Sequence, residues 1–189
     1  MNNAQRRGRL TLLAISALFI TPIILAMYLY FSDNGWRPAQ YTQHGDLITP
    51  PIGLPDIVLS PTSGDYRLRK VWSLMVLAND QCNDDCISAL EHIRQIRLSL
   101  GPKMTRLQTI FVPGDSSTTD LLNRGEFPVL IFAEPDASEA IRQHIGTWND
   151  AQIFLVDPLG NLFMSYPPGT EMGDVRKDLG HLLKLSGIG

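Results

Sequence analysis

The two cysteines of this sequence, Cys82 and Cys86, stand four positions apart in QCNDDC. Thiols this close can exchange with disulfides, hold a soft ion such as Cu(I) as two thiolates, or form a static bond. Near a helix start they would face the same way, with Cα atoms roughly 6 Å apart, within the span of a disulfide. A helix N-terminus also supplies partial positive charge and free N–H groups, which favour a thiolate. Asp84 and Asp85 act in the opposite sense. Carboxylates in a first turn help the helix, but beside a thiolate they oppose its charge and raise its pKa. The pair should therefore be less oxidising than one flanked by proline or a base. A static bond across so short a loop gains little chain entropy, so a working pair is preferred to a structural one.

Such a pair needs a rigid strand to deliver it and a helix to receive it. Val71 to Ala78, VWSLMVLA, is an almost continuous apolar run, the pattern of a strand covered on both faces. After the cysteine segment, Cys86, Leu90, Ile93, Ile96 and Leu100 recur at helical spacing until Gly101-Pro102 ends the helix. The cysteines thus fall at the C-terminal end of a buried strand, where α/β sheets collect functional groups. A second strand is predicted over Leu107–Pro113, a short helix around Thr119–Asn123, a third strand over 129–133 and another short helix over Ala137–Ile145. Ile153–Asp157 and Leu162–Tyr166 flank Pro158-Leu159-Gly160-Asn161 as a hairpin. Val175, Leu179, Leu182 and Leu183 give a last helix one apolar face. The order predicts an α/β domain with a small central sheet flanked by helices.

The chain has 189 residues, 44% hydrophobic, enough for one domain and an anchor. A net charge of −3 without a clustered basic face excludes a nucleic-acid partner. Leu10–Phe31 is free of charge and long enough to cross a bilayer, and Pro22 inside it is tolerated there. Tyr28, Tyr30 and Trp36 suit the membrane–water interface at its outer end. Arg6, Arg7 and Arg9 precede the run, which puts residues 1–9 in the cytoplasm, the anchor at 10–31 and the rest across the membrane. A cleaved signal peptide would have a shorter apolar core and a small-x-small site, which MYLYFSDNGW does not offer. Residues 32–61, with Pro38, Pro50, Pro51, Pro55 and Pro61, read as an extended linker or edge strand leading into a domain at 62–189.

VWSLMVLANDQCNDDCISALEHIRQI resembles the strand–CxxxC–helix segment of the Sco family of thioredoxin-fold, copper-binding oxidase-assembly proteins. IFLVDPLGNLFMSYPPG resembles that family's strand–DPxG–strand hairpin. Together with KDLGHLLKLSGIG, these segments are similar to short membrane-anchored proteins encoded among bacterial cytochrome c oxidase assembly genes. The resemblance covers roughly residues 50–189. It implies a thioredoxin-like fold, a periplasmic domain on the inner membrane, and partners in the membrane bilayer and in a cytochrome c oxidase subunit or its assembly factors. It also implies Cys82 and Cys86 as the thiol pair, serving copper transfer or the reduction of oxidase cysteines before copper binds. The family brings a histidine to the copper about eight residues before the hairpin aspartate. Here that place is Asn149, a poor Cu(I) ligand.

His144 is the nearest substitute as a third copper ligand, although on a helix beside Ile141 and Ile145 a histidine more often packs or caps. His92 should be solvated, His181 should lie opposite the apolar face of the last helix, and His44 belongs to the linker. Pro128 stands where thioredoxin folds carry a cis-proline beside the active pair; an ordinary strand start is the alternative. Arg94, Arg97, Lys103 and Arg106 read as solvated charges complementing the end of the first domain helix. The rival functions are a general thiol–disulfide oxidoreductase, which more often carries CxxC, and a scaffold with inert cysteines.

Overall fold

The computed structural model describes residues 3–31, 43–60, 64–79, 81–114 and 127–188. The short helix expected around 119–123 lies outside them. The chain divides into two compact units, Met1–Tyr41 and Thr42–Gly189.

The first unit is a helix, α1 (Asn3–Phe31), with Pro22 inside it. Its apolar side chains, among them Leu12, Leu18, Phe19 and Ile23, are exposed. The segment Arg6–Phe31 is long and apolar enough to cross a membrane.

The second unit runs β1 (Asp46–Gly53), β2 (Val58–Ser60), β3 (Gly64–Arg67), β4 (Trp72–Leu77), α2 (Asp84–Ser99), a 3-10 turn at Gly101–Arg106, β5 (Leu107–Val112), β6 (Leu130–Phe132), α3 (Pro135–Ile145), β7 (Gln152–Val156), β8 (Asn161–Tyr166) and α4 (Met172–Leu185). Six strands form one sheet in the order β1-β8-β7-β4-β5-β6, and β2 pairs with β3 apart from it. β4 is central, parallel to β5 and antiparallel to β7. All six of its residues are buried, which accounts for its unbroken apolar run.

Alternation along β4 sends its side chains into two cores. Leu74, Val76 and Ala78 pack with Cys86, Leu90 and Ile93 of α2 and with Leu179 and Leu183 of α4. Met75 and Leu77 pack on the other face with Ala137 and Ile141 of α3 and with Leu59 and Leu68 of the β2–β3 hairpin region. Each buried Leu, Ile, Val or Met side chain among them stabilises the fold by about 1.5–3 kcal/mol.

The stretch up to residue 61, read as a linker or edge strand, contains a strand at the edge of the sheet. β1 forms the edge of the main sheet, pairing Asp46 with Ser165 and Gly53 with Asn161, so the compact unit opens at Thr42. Its register shifts between Leu47 and Ile52, around Pro50 and Pro51, which have no N–H to give to a ladder. An edge position accepts them because one side of the strand faces no partner.

The hairpin reading holds. Asp157 Oδ1 accepts from the N–H groups of Leu159 and Asn161, both at 2.9 Å, and Gly160 turns the chain at φ +89°.

Candidate functional site

Where β4 ends, its neighbours bind it on both sides. Ala78 N–H donates to Val112 O and Ala151 N–H donates to Leu77 O, each at 3.1 Å. The chain then leaves the sheet through Asn79 and reaches the cysteines.

Asn83 caps α2. Its backbone is extended (φ −81°, ψ −175°), and its Oδ1 accepts from Cys86 N–H at 3.0 Å. Asp84 and Asp85 fill the first turn. The spacing of the motif follows from this cap: Cys82 stands just before it and Cys86 three residues after it. The sulfurs are joined, with Cα atoms 5.1 Å apart. Cys86 is fully buried in the α2–α4 core, whereas Cys82 packs at its edge and is partly exposed. An incoming sulfur can therefore reach Cys82 but not Cys86.

A residue that sequence reasoning missed completes the loop. Asp150, in the turn before β7, accepts from Asn79 N–H at 2.8 Å through Oδ1 and from Asn83 Nδ2 at 3.3 Å through Oδ2. The next residue, Ala151, is held at φ +59°, a conformation non-glycine residues seldom adopt. The signal was present as Asp150 beside Asn149, but nothing in the local pattern linked that turn to a segment 67 residues earlier.

His144, the nearest substitute for a third ligand, stands apart from the pair. His144 is exposed on α3, with Nδ1 2.8 Å from Ala140 O, and α3 packs against the face of the sheet opposite Cys86. Among the described residues no group of three His, Cys, Asp or Glu is arranged to hold a metal. Asn149 is exposed, and its N–H donates to Gln152 Oε1 at 2.9 Å. The pair itself offers two sulfur donors. Pro128 is not a cis-proline: the cis bond among the described residues is Thr49–Pro50.

Two further histidines differ from expectation. His92 is half-buried and lines a groove of about 90 Å³ with Asp85, Ala151 and Pro167. His44 is no free linker residue. Its N–H donates to Asp178 Oδ2 at 2.8 Å and its Nδ1 lies 2.9 Å from Asp178 Oδ1. Asp178, buried on α4, also accepts from Gly45 N–H at 3.1 Å and from Tyr166 Oη at 3.2 Å. A β-carbon on Gly45 would stand 2.6 Å from the Tyr166 ring, so this arm approaches as only glycine can. Burial, and then the Asp178 carboxylate, hold the Tyr166 phenol far above the usual tyrosine range. The cluster fastens the arm preceding β1 to α4.

Residues 72–186 match the family model described as the transmembrane-like, thioredoxin-like C-terminal domain, and residues 3–33 match the transmembrane-like N-terminal domain. No match is found among curated protein sequences. Among solved structures, the apo Sco1 protein of Thermus thermophilus is 23% identical with a TM-score of 0.61, over 76% of this chain and 99% of that one. A thio-disulfide isomerase of the same organism is 14% identical with a TM-score of 0.55, over 75% and 99%. Yeast Sco1 with copper bound is 16% identical with a TM-score of 0.51, over 76% and 90%. These likenesses establish a thioredoxin-like fold.

Proposed function

The chain belongs to the transmembrane-like, thioredoxin-like family, and from that premise we propose that it is a membrane-anchored, periplasmic thiol–disulfide exchange protein serving cytochrome c oxidase biogenesis. The observation that carries the reading is the asymmetry of the pair. One sulfur is accessible at the strand–helix junction and the other is sealed in the core one helical turn away.

In the reduced protein the Cys82 thiolate attacks one sulfur of a partner disulfide. A mixed disulfide forms, and the second partner sulfur leaves as a thiolate and takes a proton from solvent. The Cys86 thiolate then attacks Cys82 Sγ, forming the intramolecular bond and releasing the partner's first sulfur. Two electrons pass to the partner, whose cysteines become a dithiol able to accept copper. The oxidised pair is returned to the dithiol by an external dithiol reductant.

The hydrogen bonds of Asn83 and Asp150 use no cysteine side chain, so breaking the disulfide removes none of them directly. The negative charge of Asp84, Asp85 and Asp150 disfavours a resident thiolate and so favours the disulfide product, as suits a reductant. Copper carriage is the second reading, supported by two sulfurs brought within one chelate and by the copper bound in yeast Sco1. Among the described residues no third donor joins the pair, which weighs against it as the main role.

The test uses a host whose oxidase depends on the chain. Replacing either cysteine with serine should leave the protein in the membrane and lower assembled oxidase, with an added thiol reductant restoring it. Rescue by added copper alone would favour metal delivery, and normal oxidase in the double variant would overturn both readings.

A further inference from the structure

The basic residues noted at the end of α2 do not form one solvated cluster. Arg106 donates to the carbonyls of Leu183 and Ser186, both at 2.9 Å, and ties the C-terminal end to the 3-10 turn. Arg97 instead joins Arg67, Arg69 and Lys70, from a distant part of the sequence, around a cleft of about 610 Å³. Two carboxylates, Asp56 and Asp65, also line it, so cations outnumber anions there by four to two in a chain of net charge −3.

The cations are only partly engaged. Arg67 Nε donates to Asp65 at 2.9 Å and Arg69 Nη1 donates to Leu159 O, which fixes that guanidinium, but Arg67 Nη1 and Arg69 Nε both stop 3.6 Å from Asp56, beyond a good hydrogen bond. Exposed pairs of this kind contribute little and yield readily to a better acceptor. Arg97 Nε donates to Leu107 O at 2.8 Å, which fixes its guanidinium, while its terminal nitrogens meet no acceptor among the described residues. The Lys70 ammonium has no partner among them either. Lys70 is also held at φ +76°, with its N–H donating to Pro158 O at 2.8 Å, a conformation that a lysine adopts at a cost. Fixed guanidinium forks beside an ammonium match a tetrahedral oxyanion.

We propose that this cleft binds a phosphate-bearing anion. It lies at the N-terminal ends of β4 and β5, where Val71 and Leu107 line it, whereas the cysteines follow the C-terminal end of β4. The site is therefore distinct from the thiol pair and does not rest on its chemistry. A lipid headgroup and a free phosphate compound present the same group, and the experiment separates them.

The full chain is placed in nanodiscs of phosphatidylcholine and titrated with pyrophosphate by calorimetry. Saturable binding that weakens steeply with salt is expected, and Lys70→Gly and Arg97→Gln should each weaken it about tenfold. Lys70→Gly should not lower the melting temperature, because glycine accepts φ +76° freely, so its effect reports charge rather than folding. In discs containing phosphatidylglycerol, a lipid source is shown by protection of Lys70 from acetylation and by exclusion of pyrophosphate. A free phosphate source is shown by unchanged pyrophosphate binding in both discs. Binding that survives both substitutions overturns the site. So does the absence of saturable binding together with an unprotected Lys70.

Discussion

Asp150 and Asn83 meet across the cysteine loop: Asp150 Oδ2 accepts from Asn83 Nδ2 at 3.3 Å, while Asn83 Oδ1 accepts from Cys86 N–H at 3.0 Å. A carboxylate on the turn before β7 is thereby one side chain removed from the backbone of the buried cysteine. Its other oxygen holds Asn79 N–H, so both ends of the segment carrying Cys82 are tied to one residue. Replacing Asp150 with Asn removes the charge and turns an amide N–H₂ toward one of the two donors. The loop should lose about 1–2 kcal/mol of local stability. With less negative charge nearby, Cys82 should alkylate at lower pH, and the pair should shift several-fold toward the dithiol in a dithiothreitol buffer. An unchanged alkylation profile would confine Asp150 to a structural role.

The cap gives a sharper test of the same contact. Asn83→Ala should cost about 1 kcal/mol, the usual worth of an N-cap. Asn83→Asp keeps an acceptor for Cys86 N–H yet sets a second carboxylate against Asp150, at a cost of about 1–2 kcal/mol. Adding Asp150→Asn to that variant should restore most of the loss. Thermal unfolding of the two single variants and the double variant measures the coupling, and simple additivity would mean that the two side chains do not interact.

What could be read from the sequence was local. The apolar run of β4, the helical spacing of α2 and the Asp157–Gly160 turn each carry their own period or turn chemistry, and each appears in place. Contacts set by the closure of the sheet had no such mark. β1 hides in a proline-rich stretch and gains its partner only when β8 arrives, and the bonds from Asp178 to His44 and Gly45 join residues 134 and 133 apart in sequence. Asp150 was overlooked for the same reason. For His144, counting along the chain could not tell which face of the sheet its helix would cover.

Asn149 provides a gain-of-function test on metal. It stands where the resemblance calls for a histidine, in the turn whose next residue contacts the cysteine loop. Asn149→His should raise Cu(I) affinity of the reduced chain at least tenfold by supplying a third donor. His144→Ala should leave affinity unchanged, since α3 lies on the far face of the sheet. Competition with a Cu(I) chelator reads both, and loss of copper in the His144 variant would contradict the geometry.

Tyr166 sets an alkaline limit. Its phenol is raised in the folded chain, chiefly by burial and then by Asp178. The stability this group confers is intact below its unfolded pKa of about 10 and is lost as pH rises above it, because the unfolded chain ionises while the folded one resists. The melting temperature should fall between about pH 9 and pH 11, and fall less in Tyr166→Phe. At neutral pH the same variant should be weaker by about 1–2 kcal/mol, since Asp178 loses one of its donors. Parallel pH profiles for the two proteins would show that the phenol does not govern the decline.

The cysteine pair itself makes the last test. The bond closes a loop of sequence separation 4, for which loop-closure entropy supplies about 2 kcal/mol. Both cores are built from other residues and surround the sheet independently of the bond. Reduction should therefore lower the melting temperature by a few degrees and leave a folded domain. Within the reduced chain, iodoacetamide should modify Cys82 well before Cys86, which has no exposed surface. Serine replacement should reverse that order of sensitivity. Cys86→Ser puts a hydroxyl into an apolar core and should cost about 1–3 kcal/mol more than Cys82→Ser, whose hydroxyl stays near solvent. A mixed disulfide trapped with a partner should accordingly accumulate in Cys86→Ser, where Cys82 can attack but nothing resolves it, and not in Cys82→Ser. Equal labelling of the two cysteines, or trapping through Cys86, would reverse the assignment of attacking and resolving thiols.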